Sequence, residues 1–268
     1  MSRWDGLAER IRGLADGTLE ASAPRDAATV VLLRDRPGGP EAYLLRRVAA
    51  MSFAAGMHVF PGGSVDPADA QAEIGWAGPP VAEWAGWLSC DEPLARALVC
   101  AAVRETFEES GVLLAGTGAD NVLADVSTDD WEAERVALEA REHSLSELLA
   151  RRGLVLRADL LRPLAHWITP AAEPKRFDTR FFLAELPSGQ VCRDVGGEAD
   201  SRLWVRPAEA LARELVMMPP TAAALREVAD VPDVAAALAV PRRIVPVMPA
   251  FVLDDDGVVL RVPGDAER

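Results

Sequence analysis

The chain is short of cysteine, of long apolar runs and of positive charge. Its three cysteines, Cys90, Cys100 and Cys192, are odd in number and form no CxxC pair. That excludes a disulfide framework or a zinc ribbon as the organising element, and each reads as a small buried apolar side chain. No apolar run reaches the ~20 residues of a membrane span, and mean hydropathy is +0.07. The opening MSRWDGLAERIRGLADG is an amphipathic helical pattern with both charge signs and lacks the apolar core of a secretory signal. A cytoplasmic location is the expectation. Lysine and arginine number 28 against 42 aspartates and glutamates, a net charge of −14. A field of that sign repels nucleic acid and anionic membranes, so neither is an expected partner. An anionic substrate would need cations concentrated at one site, and a divalent metal ion is the candidate.

What is present suffices for a large core: 268 residues, 50% hydrophobic. ATVVLLRD (Ala28–Asp35) and AYLLRRV (Ala42–Val48), separated by RPGGPE, predict a hairpin. MHVFPGGSV (Met57–Val65) predicts a short strand entering a glycine pair. The stretch from Asp66 to about Glu92, with Trp76, Trp84 and Trp87, reads as an excursion with its own apolar cluster. A helix is expected from Glu92 to Ser110, stopped by Gly111. STDDWEAERVALEAREH predicts a helix over Asp129–Glu142, and Ser144 with Glu147 a capping box before Gly153. Strands are expected in PLAHWIT, Arg176–Leu186 and Ser201–Val205, then a helix opening at Pro207, two more helices, and a closing hairpin around DDDG. Mixed strands and helices without strict alternation argue for a mixed sheet flanked by helices.

RETFEESG (Arg104–Gly111) gathers Glu105, Glu108 and Glu109 within about 100° of one helix face, with Arg104 beside Glu108. Like charges at this spacing destabilise a helix by a few tenths of a kcal/mol each, and the helix C-terminus disfavours anions. Two readings remain: a solvated acidic face, or carboxylates that coordinate a hard divalent cation. FPGG (Phe60–Gly63) favours the second, because glycines let the backbone approach a phosphate or metal closely.

Ordered together, these elements resemble the Nudix box. Gly63 matches its first glycine and RETFEESGV its second half, apart from Thr106 at an apolar position. Asp69 stands where the pattern has a glutamate, and Arg104 follows Gly63 by 41 positions instead of fourteen, an excess of 27. The chain therefore resembles a Nudix hydrolase with an insertion inside the box, as in the peroxisomal coenzyme A diphosphatases. SFAAGMHVFPGGSVDPAD, WITPAAEPKRFDTRFFLAELP and MMPPT are similar to that group, over roughly Thr29–Thr221. The G-x3-F-P-G-G end of a coenzyme A signature is met by Gly56–Gly63, while its arginine is Ser52 here.

The resemblance implies an α/β/α sandwich around a mixed sheet, with a helical insertion in the box and added C-terminal helices and hairpin. The corresponding divisions are a lead-in over 1–27 and a Nudix domain over 28–268, holding an insertion at 66–92, a helical segment at 127–153 and C-terminal additions at 207–268. It implies Mg²⁺ or Mn²⁺ held by Glu105, Glu108, Glu109 and the Gly62 carbonyl, with Arg104 orienting a glutamate. The implied substrate is a small nucleoside diphosphate derivative, coenzyme A or an acyl-coenzyme A first. ADP-ribose or a dinucleotide stays open, as does a non-catalytic nucleotide sensor. A loop carboxylate is expected from Glu198, with Asp200 the second choice. Lys175, Arg176 and Arg180 read either as phosphate ligands beside Gly62 and Gly63 or as an ordinary charged strand end. Homodimers are common in the family.

Overall fold

The computed structural model describes residues 3–48, 54–71, 73–195, 199–213, 215–255 and 257–263. In chain order the elements are α1 (Arg3–Asp16), β1 (Arg25–Arg36), β2 (Gly39–Arg47), β3 (His58–Val59), β4 (Gly62–Ser64), α2 (Pro67–Gln71), β5 (Trp76–Ala77), α3 (Val81–Leu88) and α4 (Glu92–Ser110). There follow β6 (Ala115–Gly116), α5 (Asp129–Glu139), α6 (Leu145–Arg152), β7 (Val155–Arg157), β8 (Leu161–Ile168), β9 (Phe177–Glu185) and β10 (Ala199–Val205). The chain closes with α7 (Pro207–Ala212), α8 (Pro219–Glu227), α9 (Val234–Ala239), β11 (Pro246–Val247), β12 (Ala250–Asp254) and β13 (Gly257–Arg261).

The main sheet runs β10-β2-β1-β9-β8-β11, with β3 on β2 and β4 on β1. The β1–β9 and β8–β11 pairs are parallel and the others antiparallel, so the sheet is mixed. β1 and β9 are apolar on both sides, the pattern of a sheet covered twice. Val30, Leu32, Phe182 and Ala184 point to the layer that contains α4, while Val31, Leu33, Phe181 and Leu183 point to the layer of α7, α8 and α9. This is the expected α/β/α arrangement. β12 and β13 form the expected hairpin, a separate two-stranded sheet. Among the described residues, no helix is long and apolar enough to cross a membrane.

One expectation needs correcting. Among the described residues, the excursion after Gly63 forms no apolar cluster of its own. Ile74, Trp84 and Leu88 belong to the same core as α4 and β1, and the Trp84 ring lies 5.8 Å from that of Phe182 on β9. An indole of that size, wholly excluded from solvent, finds enough apolar surface only against the central sheet. A second difference is the end of α5, which stops at Glu139, three residues before the expected Glu142.

Candidate active site

α4 starts where Asp91 caps it, accepting from the Leu94 N–H at 2.9 Å. It stops where Gly111 takes φ = 72° and its N–H closes on the Phe107 carbonyl at 2.9 Å, a left-handed conformation that a β-carbon disfavours. Between these ends Leu98, Val99, Ala102, Val103 and Phe107 are buried, which fixes the rotation of the helix and turns the glutamates toward β4. Thr106, the polar residue at an apolar position, is accommodated because its hydroxyl donates to the Ala102 carbonyl at 2.7 Å.

The glycine pair is fitted against that acidic face. The Gly62 N–H donates to Glu109 Oε2 at 2.8 Å. Val30 N–H bonds the Pro61 carbonyl and Val65 N–H the Asp26 carbonyl. By the alternation of an antiparallel ladder this leaves the Gly62 peptide groups outside the bonding with β1. A β-carbon on Gly63 would lie 2.4 Å from Glu105 Oε1, and one on Gly62 2.5 Å from the Ala28 carbonyl. Both positions require glycine for close approach, not for backbone angle.

Arg104 organises the acids. Its Nη1 donates to Glu105 Oε1 at 2.8 Å and Glu108 Oε2 at 3.2 Å, its Nε and Nη2 to Asp69 at 3.1 and 3.0 Å, and its Nη2 to the Ser64 carbonyl at 2.9 Å. Asp69, on α2, is almost fully buried and also accepts from the Asp66 N–H. The insertion thus supplies an acid that in sequence stands only as a shortened glutamate. Burial opposes the Arg104 charge, but Glu105, Asp69 and Glu108 outweigh it and hold its pKa above the usual value. Glu108 shifts the other way for an acid: burial first, then the Glu105 charge, push it up to about 7 despite Arg104. The two shifts are consistent, because one guanidinium shared among three carboxylates is fully compensated while they are not.

The chemistry of the donor set, though not its present spacing, suits a hard divalent cation. Several carboxylates meet a turn without β-carbons, and the local negative charge exceeds what Arg104 neutralises. Among the described residues, no three His, Cys, Asp or Glu side chains converge tightly enough to chelate an ion in this arrangement, where Arg104 bridges Glu105 and Glu108.

These groups line a cleft of about 1260 Å³, whose wall also carries apolar side chains: Trp167 on β8, Phe177 and Phe181 on β9, Met217 and Met218 before α8, and Phe251 and Leu260 from the hairpin. The hairpin's contribution has no local signal in the sequence; MMPPT alone marks part of that apolar wall. Lys175 lies on the cleft wall, its Nζ 5.4 Å from the centroid of Phe177. Arg176 and Arg180 do not line it. Arg176 is buried and donates to the carbonyls of Thr169 at 3.0 Å and Ser22 at 2.7 Å. Arg180 has the strand parity of Asp178 and Phe182, opposite to Phe177, Thr179 and Phe181, and pairs with Asp178. Asp200 is exposed and held by Arg46 at 2.8 Å, and Glu198 lies outside the described residues. His58 faces the Val216 carbonyl, a structural contact.

No family model matches the chain. Among curated proteins, an acyl-coenzyme A diphosphatase NUDT19 of Gallus gallus is 29% identical over 252 residues, covering 73% of this chain and 65% of the relative. A putative nudix hydrolase 7 of Caenorhabditis elegans is 28% identical over 206 residues, 74% of this chain and 58% of its own. The chain thus spans about three fifths of the length of these relatives. Among solved structures, a NUDIX hydrolase from Alicyclobacillus acidocaldarius superimposes with a TM-score of 0.72 and 31% identity, over 83% of this chain and 98% of that one. Near-complete coverage of that hydrolase, at this identity and with the fold in common, makes the chain a member of the Nudix hydrolase family.

Proposed function

We propose that the chain is a metal-dependent hydrolase of the pyrophosphate bond in a nucleoside diphosphate linked to another group. Coenzyme A or an acyl-coenzyme A is the first substrate, giving 3′,5′-ADP and (acyl-)4′-phosphopantetheine. The observation that carries this reading is the mixed lining of one cleft, which holds crowded carboxylates against a glycine turn together with aromatic and aliphatic side chains. A diphosphate suits the acids and their metal ion, and a long, weakly polar arm suits the apolar side chains. The similarity to an acyl-coenzyme A diphosphatase points the same way.

Glu105, Glu108, Glu109 and the Gly62 carbonyl would hold Mg²⁺ or Mn²⁺, which when bound supplies charge neutralisation of the diphosphate and activation of a water. Arg104 keeps Glu105 and Glu108 oriented through its bonds to both. Glu109 fixes the glycine turn through the Gly62 N–H, so helix and turn keep their spacing as substrate enters. Lys175, which lines the same cleft, is the candidate ligand for the diphosphate, and Glu198 the candidate loop carboxylate.

The test is a panel of diphosphate substrates with Mg²⁺ and product identification. Coenzyme A or its thioesters should be split into the two named products. Hydrolysis of ADP-ribose or dinucleotides alone would replace the substrate assignment, and inactivity across the panel would favour a nucleotide sensor.

A further inference from the structure

The end of α5 breaks a local rule. The Glu142 N–H bonds the Ala137 carbonyl and the Arg141 N–H the Leu138 carbonyl, both at 2.9 Å, the paired closure that places the next residue in the left-handed region. That residue is Arg141, with φ = 59°. Where α4 and α6 end in the same region, glycine stands at the position, Gly111 at 72° and Gly153 at 64°, while α3 stops on the small Ser89 at 54°. A β-carbon is strained there, so a long side chain is not what helix termination selects.

The arginine side chain gains little from its neighbours in return. It is 82% exposed, and its closest carboxylate, Asp66, is 3.7 Å away, beyond the ~2.7–2.9 Å of a charge-assisted bond. A pair that open and that long contributes little. The side chain does line the cleft. Of the other cations lining the cleft, Arg104 is saturated by Asp69, Glu105 and Glu108, Arg202 pairs with Asp194 at 2.5 Å, Arg47 makes contacts of its own, and Lys175, the candidate ligand of the diphosphate, lies over Phe177. Of the other acids lining the cleft, Glu139 pairs with Arg135 at 2.8 Å, and Glu147 is engaged in the Ser144 capping box. Asp66 also joins this corner to the glutamate site, since its N–H donates to Asp69, which in turn binds Arg104. A strained backbone position therefore holds a long, uncommitted guanidinium at the cleft wall, one short chain of contacts away from the box acids.

We propose that Arg141 is a specificity-determining residue that binds a phosphate monoester carried by the substrate beside its diphosphate. The proposal rests on the reading given under Proposed function and adds to it a second anionic group. The box acids with a divalent ion meet the diphosphate. A monoester carries ≈ −1.5 to −2 charges at pH 7 and, lying outside that site, requires a cation from the protein; the planar arginine fork suits phosphate oxygens.

The experiment compares wild type, Arg141→Gly and Arg141→Lys on coenzyme A and 3′-dephospho-coenzyme A, with Mg²⁺, as a ratio of kcat/KM values. Arg141→Gly should lower the preference for the phosphorylated form about tenfold, equivalent to about 1.4 kcal/mol, with Tm unchanged or raised. Arg141→Lys should fall between. A ratio within twofold of wild type, or equal loss on both substrates, overturns the proposal. So does a lower Tm with an unchanged ratio, which would make Arg141 structural. If wild type splits neither compound, the substrate reading fails, and calorimetric binding of adenosine 3′,5′-bisphosphate against 5′-AMP decides Arg141. Wild type must prefer the bisphosphate and Arg141→Gly must lose that preference; no preference in wild type overturns it.

Discussion

Replacing Gly63 by alanine separates the role of the glycine turn in chemistry from its role in stability. The new β-carbon would sit 2.4 Å from Glu105 Oε1 and 2.6 Å from its Cδ. These atoms are the end of a side chain, so Glu105 can rotate away, at the loss of its 2.8 Å ion pair with Arg104. One charge-assisted bond is worth about 1.5–3 kcal/mol, and the freed space lets part of that relax, so a Tm decrease of about 3–6 °C is expected for a chain of this size. Displacing a metal-holding carboxylate should cost more in rate: about a hundredfold in kcat/KM, or about 2.7 kcal/mol. Gly62→Ala is the comparison in which stability suffers more. Its β-carbon meets the Ala28 carbonyl at 2.5 Å and the Thr29 Cα at 2.8 Å, backbone atoms of a buried strand that cannot swing aside. Overpacking of that kind costs about 1–3 kcal/mol or more, so Gly62→Ala should lose more stability than Gly63→Ala. The assays are thermal unfolding and steady-state hydrolysis of the substrate found in the panel. Near-normal turnover by Gly63→Ala would refute the close fit of turn and glutamate as a catalytic requirement.

Two further outcomes follow from the same geometry. Glu108, with a folded pKa of about 7 against 4.5 unfolded, binds its proton more tightly folded than unfolded. The metal-free protein should therefore lose up to about 3 kcal/mol of stability as pH rises from 4.5 through 7; unfolding in chelator at pH 5.5 and 8 should show this loss, reduced in Glu108→Gln, and a rise with pH specific to Glu108 would contradict it. Trp84→Ala, emptying a fully buried site between the insertion and β9, should cost about 3–5 kcal/mol by denaturant unfolding; a loss under 1 kcal/mol would return the insertion to a peripheral role.

The parts of this molecule legible in the sequence are those decided by short-range rules. α4 was readable because Asp91, the apolar face and Gly111 all act within one helix. The capping box of Ser144 and Glu147 is likewise present as expected. α5 was overextended because its stop is a left-handed arginine, which resembles a continuing helix residue in composition. In sequence the insertion reads as a separate cluster, because the contact that buries Trp84 comes from Phe182, distant along the chain. Of the two readings of Arg180, alternation along FDTRFF favours the charged strand end, since it sets Arg180 with Asp178 and Phe182, away from Phe177 and Phe181. Arg176 resembles a phosphate ligand by its charge, but its guanidinium is consumed by carbonyls from two other segments, Ser22 and Thr169. The acidic face could be read; its partners, Asp69 and the hairpin's Phe251 and Leu260, arrive through tertiary structure.

The most direct measurement of the metal-holding role is Mn²⁺ binding, followed by electron paramagnetic resonance, to the wild-type chain, Glu105→Gln and Glu108→Gln, with folding of each checked by circular dichroism. The account predicts saturable binding by wild type and at least tenfold weaker binding by each folded variant. Equal Mn²⁺ affinity in all three would contradict it.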